Sequence, residues 1–429
     1  MIDVEPEDIR SLSSGLLWCD RGKHGRYGDT AKIGEKSGRL GITLPPNGFR
    51  REIEACGIAG LINTDGKREN GERVIKMITT MYDRENGLGA GYACYGLFPK
   101  MADKYCVQLL LDDEEAKQRV EEYFKKVALI EKDERVFTRT VKGMKEPYPL
   151  IWRFFVEVPQ KALVGSASGK SEDDYVVDMV MHVNSLIDGA FCMSSGKNMA
   201  VFKGNGWSNE IAEFYDIADR YQGYMWLSHS RFPTNTPGWW GGAHPFNILD
   251  WGLCHNGEIT SYGTNKRYVE MWGYKCTLLT DSEVVTYLWD LLCRRHQLPI
   301  QVASVAFSPK YYDDIAVLPA DRIKVETALR MVYGRAMING PFSILVGTNR
   351  PKPTMIALTD RKKLRPMIGA TDNGTVFASS EECAIRRVAD PEEVWAPVAG
   401  NPIVAQVGNG LISAGMRDYF EQKKLVMEA

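Results

Sequence analysis

The residues best able to do chemistry lie in four separated phrases. His255, Asn256 and Gly257 stand in a row. The Asn256 amide and the unhindered Gly257 backbone N–H can aim two donors at one developing oxyanion. The plain structural reading of the same residues is an Asn-Gly turn between strands. Arg231 closes the apolar segment MWLSHSR. Its planar fork can clamp a carboxylate or serve a structural ion pair. Asp281 precedes the run SEVVTYLW, where it can hold a cation or simply cap a helix. Cys56 opens the run CGIAGLIN, and a lone cysteine flanked by small residues is ordinarily part of a core. It is one of nine cysteines, at positions 19, 56, 94, 106, 192, 254, 276, 293 and 383. None forms a C-x-x-C pair, which argues against a zinc ribbon or an iron–sulfur cluster on this chain. An odd, scattered count reads as reduced and cytoplasmic.

These phrases need elements to position them. CGIAGLIN predicts a strand ending in the turn NTDGK. Residues 69–84 predict a helix with Val74, Ile75, Ile78 and Met81 on one stripe, and a glycine-dense stretch then leads into a second strand. Residues 100–205 alternate strands with acid-started helices and predict an inserted α/β subdomain of β-α-β type, closing in a hairpin around Ser195-Gly196. MWLSHSRF and WGLCHNGEI predict two buried strands flanking a loop rich in Gly, Pro and Trp. Thr280 or Asp281 caps the next helix, with Glu283 in its first turn. FSILVGT, TMIALTD and TVFASS predict further strands.

Composition bounds the function. The 429 residues carry 53 Lys+Arg against 55 Asp+Glu, a net charge of −2. Such a balance argues against a nucleic-acid binder that relies on a basic field. No apolar run reaches the length of a membrane span. Residues 1–55 hold nine Lys/Arg, nine Asp/Glu and eight Gly and read as carrying no secretory or mitochondrial signal, and the Gly-rich segment from Arg21 to Arg51 reads as loop-like.

The phrases also occur in a telling order: Cys56-Gly57-Ile58, Arg84 with Gly89 and Gly91, His229 to Asn235, His244-Pro245-Phe246, His255 to Ile259, and Thr280 to Val284. This series resembles the class II glutamine amidotransferases, whose glutaminase domain is an N-terminal-nucleophile hydrolase. SHSRFPTNTPGWW, AHPFN, HNGEITSYGTN, GPFSILVGT and DRKKLRP narrow the resemblance to the free-standing glutaminase subunit of glutamate synthases. The resemblance implies an α+β fold, a four-layer αββα sandwich. It implies that Cys56 attacks the glutamine carboxamide and forms a thioester, with its own α-amine as base. Asn256 and Gly257 would form the oxyanion hole. Arg231 would bind the α-carboxylate and Asp281 the α-ammonium. Phe232, Thr234 and Asn235 would line the glutamine pocket. Arg84 is grouped with these binding residues as the one that positions the Cys56 strand and loop.

Three departures from the pattern carry expectations of their own. Cys56 is internal, so the mechanism requires a leader, residues 1–55, cut off before Cys56 to leave residues 56–429 as the amidotransferase domain. The stretch 100–205 is extra relative to compact relatives, and a subunit contact is expected there. No synthase domain is recognised after residue 290, so the ammonia is expected to pass to a partner, an FMN and iron–sulfur subunit, with no cofactor or metal on this chain. Rival readings are a zinc hydrolase using His229, His244 and His255, a Cys-His protease, a simple amide hydrolase, a catalytically silent glutamine binder, and a subunit of an N-methylglutamate-type synthase. The histidine spacings of 15 and 11 fit no metalloprotease helix or zinc finger, so the three are read as structural or loop-orienting. An α-amino-acid clamp of Arg231 and Asp281 has no use on simple amides.

Overall fold

A computed structural model describes residues 56–144, 146–164, 170–231 and 239–416. The expected leader, residues 1–55, lies outside the described residues.

Two antiparallel sheets stack face to face. The first has seven strands, in the order Glu393–Trp395, Ile368–Asp372, Thr375–Ser379, Gly57–Asn63 (β1), Met225–Ser230 (β2), Ala90–Tyr95 and Met199–Gly204. β1 sits in the middle and is buried along its whole length, which explains why GIAGLIN lacks the alternation of a half-exposed strand. The second sheet has six strands, in the order Phe246–Ile248, Trp251–Gly257 (β3), Phe342–Thr348, Thr354–Thr359, Ile403–Gln406 and Gly410–Ala414. Ile58, Ile62, Ala93, Tyr95 and Leu227 of the first sheet interlock with Cys254, Leu345, Met355 and Ala357 of the second. Tyr95 crosses between the layers and donates to the Gly347 carbonyl at 2.9 Å.

Helices cover both outer faces. Val74, Met77 and Ile78 of helix Glu72–Thr80, with Ile211 and Phe214 of helix Ser208–Tyr215, pack on Ala59, Leu61, Tyr92 and Phe202. On the other side, Val285, Leu288 and Trp289 of helix Asp281–Trp289 pack with Leu253, Ile344 and Val346. The result is the expected αββα order of layers. Strands from Phe342 to Ala414 contribute to both sheets, so the chain after residue 290 completes the sandwich. Among the described residues, no helix is long and apolar enough to cross a membrane.

The insertion is a separate four-stranded antiparallel sheet with two long helices, Glu114–Val127 and Glu172–Leu186, and a short one, Gln160–Val164, among the described residues. Its strands run in the spatial order Leu129–Arg135, Leu150–Glu157, Tyr105–Leu111, Ala190–Ser194. That is a double split β-α-β arrangement, with one strand, LIEKDER, more than the sequence suggested. The Leu129–Arg135 strand is charged and mostly exposed, as edge strands tend to be. The expected hairpin around Ser195-Gly196 does not form. Ala190–Ser194 stays in the insertion, whereas Met199–Gly204 becomes an edge strand of the first main sheet. The insertion therefore ends before Met199 and not at residue 205.

Its attachment is extensive. One apolar cluster runs from Val107, Phe154 and Val180 of the insertion into Trp251 and Trp289 of the core. The acidic first turn of helix Glu172–Leu186 is held by core cations: Arg294 reaches Asp174 at 2.9 Å, and Arg350 bridges Asp173 and Asp250.

Candidate functional site

Strand register brings the first two groups together. β1 and β2 are antiparallel with Gly57 opposite Ser230 and Ile58 opposite His229. Extending that register by one residue sets Cys56 beside Arg231. The Arg231 backbone N–H donates to the Gly89 carbonyl at 2.9 Å, and its side chain is buried. Burial pulls the guanidinium pKa down, while Cys56 and Asp281 act in the opposite direction. Nucleophile, arginine and carboxylate thus lie within electrostatic reach of one another. Cys56 itself is half-buried and not in a disulfide.

The second sheet delivers the oxyanion candidates at the same end. The His229 ring donates through Nε2 to the His255 carbonyl at 2.9 Å, tying β2 to β3 beside Asn256. Asn256 is fully buried, yet neither its Nδ2 nor its Oδ1 has a hydrogen-bond partner among the described residues. Buried amides are ordinarily satisfied, and none of the described residues satisfies this one. Gly257 ends β3 with φ +135°, and a Cβ there would lie 1.9 Å from the Pro341 carbonyl oxygen. Only glycine fits that turn.

Asp281 starts the helix Asp281–Trp289, with Thr280 as the N-cap accepting from the Ser282 N–H. Asp281 Oδ2 accepts from the Ile259 N–H at 3.0 Å, and its Oδ1 accepts from the Ser282 hydroxyl at 3.1 Å. Burial works to raise its pKa. The facing His255 ring and these hydrogen bonds outweigh burial and hold the carboxyl at about 2. It is therefore a fixed anion, suited to an ammonium group. Asp281 is thus more than a cap, because Thr280 performs that task.

The three histidines form a stacked group behind the site. His229 and His244 rings lie 4.0 Å apart, and His244 Nε2 and His255 Nδ1 sit 2.8 and 3.0 Å from the Ser282 hydroxyl. Burial drives His229 down to about 3 and His244 well below its ordinary value, so both are neutral. The remaining ring nitrogens, His229 Nδ1, His244 Nδ1 and His255 Nε2, have no partner among the described residues. None is therefore hydrogen-bonded to the Cys56 thiol, as a Cys-His protease would require. Among the described residues, no three His, Cys, Asp or Glu side chains are grouped to hold a metal. His244 and His255 both meet the Ser282 hydroxyl at the start of the helix Asp281–Trp289, and His229 ties β2 to β3.

Arg84 stands one step away from this group. Its Nε donates to Glu381. Glu381 follows Ser380, whose N–H donates to the Ile58 carbonyl at 2.9 Å and whose hydroxyl accepts from the Ile58 N–H at 3.2 Å. Arg84 is thus linked to the start of β1 through Glu381 and its neighbour Ser380. Phe232, Thr234 and Asn235 lie outside the described residues. Sequence reasoning missed Ser282, Ser380 and Glu381. The T-D-S-E phrase did contain Ser282, but nothing in it announced a hydroxyl shared by two histidines and an aspartate.

Known proteins resemble the chain at several levels. The family model for class-II glutamine amidotransferases matches residues 100–285. An uncharacterised protein of Archaeoglobus fulgidus is 46% identical over 360 residues, covering 83% of this chain and 93% of that protein. A Methanothermobacter thermautotrophicus protein, provisionally named a glutamine amidotransferase, is 27% identical over 79% of this chain and 95% of its own. Among solved structures, glutamine phosphoribosylpyrophosphate amidotransferase from B. subtilis, complexed with ADP and GMP, aligns at TM-score 0.41 and 15% identity. That alignment covers 83% of this chain, which spans about half of the solved one, 48%.

Proposed function

We propose that the chain, whose residues 100–285 match the family model for class-II glutamine amidotransferases, hydrolyses L-glutamine to glutamate and ammonia through a Cys56 thioester and passes the ammonia to a separate synthase polypeptide. The observation that carries this reading is the convergence of Cys56, Arg231 and Asp281 with the unpartnered Asn256 amide at one end of the sandwich. Arg231 takes the α-carboxylate, Asp281 takes the α-ammonium, and the carboxamide then lies between Cys56 and Asn256-Gly257.

The proposed chemistry runs in two halves. Removal of residues 1–55 frees the Cys56 α-amine, which titrates near about 8 in ordinary peptides. The amine accepts the thiol proton as sulfur attacks the carboxamide carbon. The carbonyl oxygen becomes an oxyanion held by Asn256 Nδ2–H and Gly257 N–H. The same amine returns the proton to the leaving nitrogen, and ammonia departs. Water then attacks the thioester, the amine takes its proton and passes it to the departing sulfur, and glutamate leaves.

The acceptor is proposed to be a glutamate-synthase-type partner carrying FMN and an iron–sulfur cluster, in the cytoplasm. The support is the set of shared phrases around Arg231, His255 and Asp360. Copurification from the native host tests the partner, and a flavin-free partner would refute it. For the glutaminase step, ammonia and glutamate release are measured for wild type and Cys56→Ala, with the intact mass of each. Activity is expected only in wild-type chains beginning at Cys56. Equal ammonia release by both proteins, or full activity in chains retaining residues 1–55, would overturn the mechanism.

A further inference from the structure

Two charged side chains are buried behind the clamp with no place in the chemistry above. Lys203, on the edge strand Met199–Gly204, is 1% exposed. Its Nζ donates to the Gly241 carbonyl at 2.9 Å and the Pro245 carbonyl at 3.3 Å. It also lies over the rings of Phe246, 4.6 Å from the centroid, and Phe191 of the insertion, 5.3 Å away. Glu283 is equally buried. It accepts from the backbone N–H groups of Thr277 and Leu278, each at 3.0 Å, and from the Tyr287 hydroxyl at 3.1 Å. Lys203 and Glu283 line one small pocket at the seam with the insertion, together with Asn184, Phe191, Phe246 and Tyr287.

Each holds a different loop. The Lys203 loop passes through Gly242, where a Cβ would lie 3.4 Å from Arg231 Nη1, and through His244, which meets Ser282. The Glu283 loop leads through Thr277 and Leu278 into Thr280 and Asp281. We propose that Lys203 and Glu283 are a coupled pair of positioning residues for glutamine, Lys203 fixing the loop that braces Arg231 and Glu283 fixing the loop that delivers Asp281. The inserted subdomain then takes part in substrate binding, because Phe191 forms one wall around the Lys203 ammonium and also meets Trp239 edge-on at 5.8 Å. Burial pulls the Lys203 ammonium pKa down and pushes the Glu283 carboxyl up, with each opposed by the other's charge.

This assignment rests on the glutamine-clamp reading, and the test separates the two. The full chain is prepared as wild type, Lys203→Met, Glu283→Gln and the double variant. Steady-state kinetics with L-glutamine, thermal melting and the rate of Cys56 alkylation by iodoacetamide are measured for each. Each single change is expected to raise KM about tenfold with kcat within about threefold. The alkylation rate should stay unchanged, since that reagent needs no clamp. The double variant should raise KM no further than the larger single change. An unaltered KM in folded variants overturns the assignment, as does a fall in kcat and alkylation at constant KM. Glu283→Gln keeps the question open to measurement if Lys203→Met does not fold. If wild type releases no ammonia, the glutaminase reading fails. In that case the L-glutamine dissociation constant of Cys56→Ala, with and without Lys203→Met, still decides the role of Lys203.

Discussion

Replacing Asn256 with leucine should make the protein more stable and nearly inactive. The side chain is fully buried, and both polar atoms of its amide lack partners among the described residues. A buried, unsatisfied polar group costs about 1–3 kcal/mol. Leucine has nearly the same shape and removes that cost without opening a cavity. Unfolding entropy is about 2.1 cal/mol/K per residue, so for a domain of roughly 350 residues the gain corresponds to about 1–4 °C in Tm. The same substitution removes one oxyanion donor, which lowers kcat by about 10²–10³-fold. The two effects have opposite signs, and calorimetry with an ammonia-release assay on one preparation reads both. A drop of several degrees in Tm, or kcat within threefold of wild type, would refute the reasoning. The first result would mean that the amide is satisfied in solution and serves the fold, and the second that it gives no donor to the oxyanion.

Three other expectations follow from the same geometry. Gly257→Ala should abolish turnover, because its Cβ meets the Pro341 carbonyl at 1.9 Å in a backbone conformation with φ +135°; a fully active alanine variant would show that the turn relaxes freely. Arg231→Lys keeps the charge and loses the fork, so KM for glutamine should rise about 10–100-fold with a smaller change in kcat, and an unchanged KM would remove Arg231 from the clamp. The Asp281 carboxyl is held at about 2, below its unfolded value of about 3.9. Its charge therefore supports binding and stability fully above pH 4 and is lost only as pH falls through about 2. KM measured down the acid side should show no inflection near pH 4, and one there would contradict this environment.

Much of this site was legible because it consists of short phrases at strand ends. MWLSHSR and WGLCHNG read as buried strands, and each ends in a polar group, so their tips had to lie on one rim of any sandwich. Glu283 shows the limit. In the sequence it is a favourable charge in a helix's first turn; in the fold it is buried and binds the backbone of Thr277 and Leu278. No local pattern encodes that, because the burial comes from Lys203 and Phe191, about 80 and 90 residues away in sequence. The hairpin expected around Ser195-Gly196 failed for a related reason. Two strands joined by a tight turn pair only if neither finds a better edge. Here Met199–Gly204 pairs with Ala90–Tyr95, while Ala190–Ser194 pairs with Tyr105–Leu111. The insertion is tied closely to the core. Its apolar side is continuous with Trp251 and Trp289 and its acidic helix start is gripped by Arg294 and Arg350, so its removal should unfold the helical layer over the second sheet.

The central place of β1 has a consequence for the timing of synthesis. Cys56 sits at the tip of a strand whose two neighbours are Met225–Ser230 and Thr375–Ser379. One neighbour is made some 170 residues later and the other some 320 residues later. A growing chain therefore carries its sulfur long before anything fixes it, and β1 waits with one edge bare until translation is almost finished. Pairings this distant in sequence form late. A half-made chain lacks β2, β3 and the helix Asp281–Trp289, so Cys56 meets Arg231, Asn256 and Asp281 only after more than half of the protein exists.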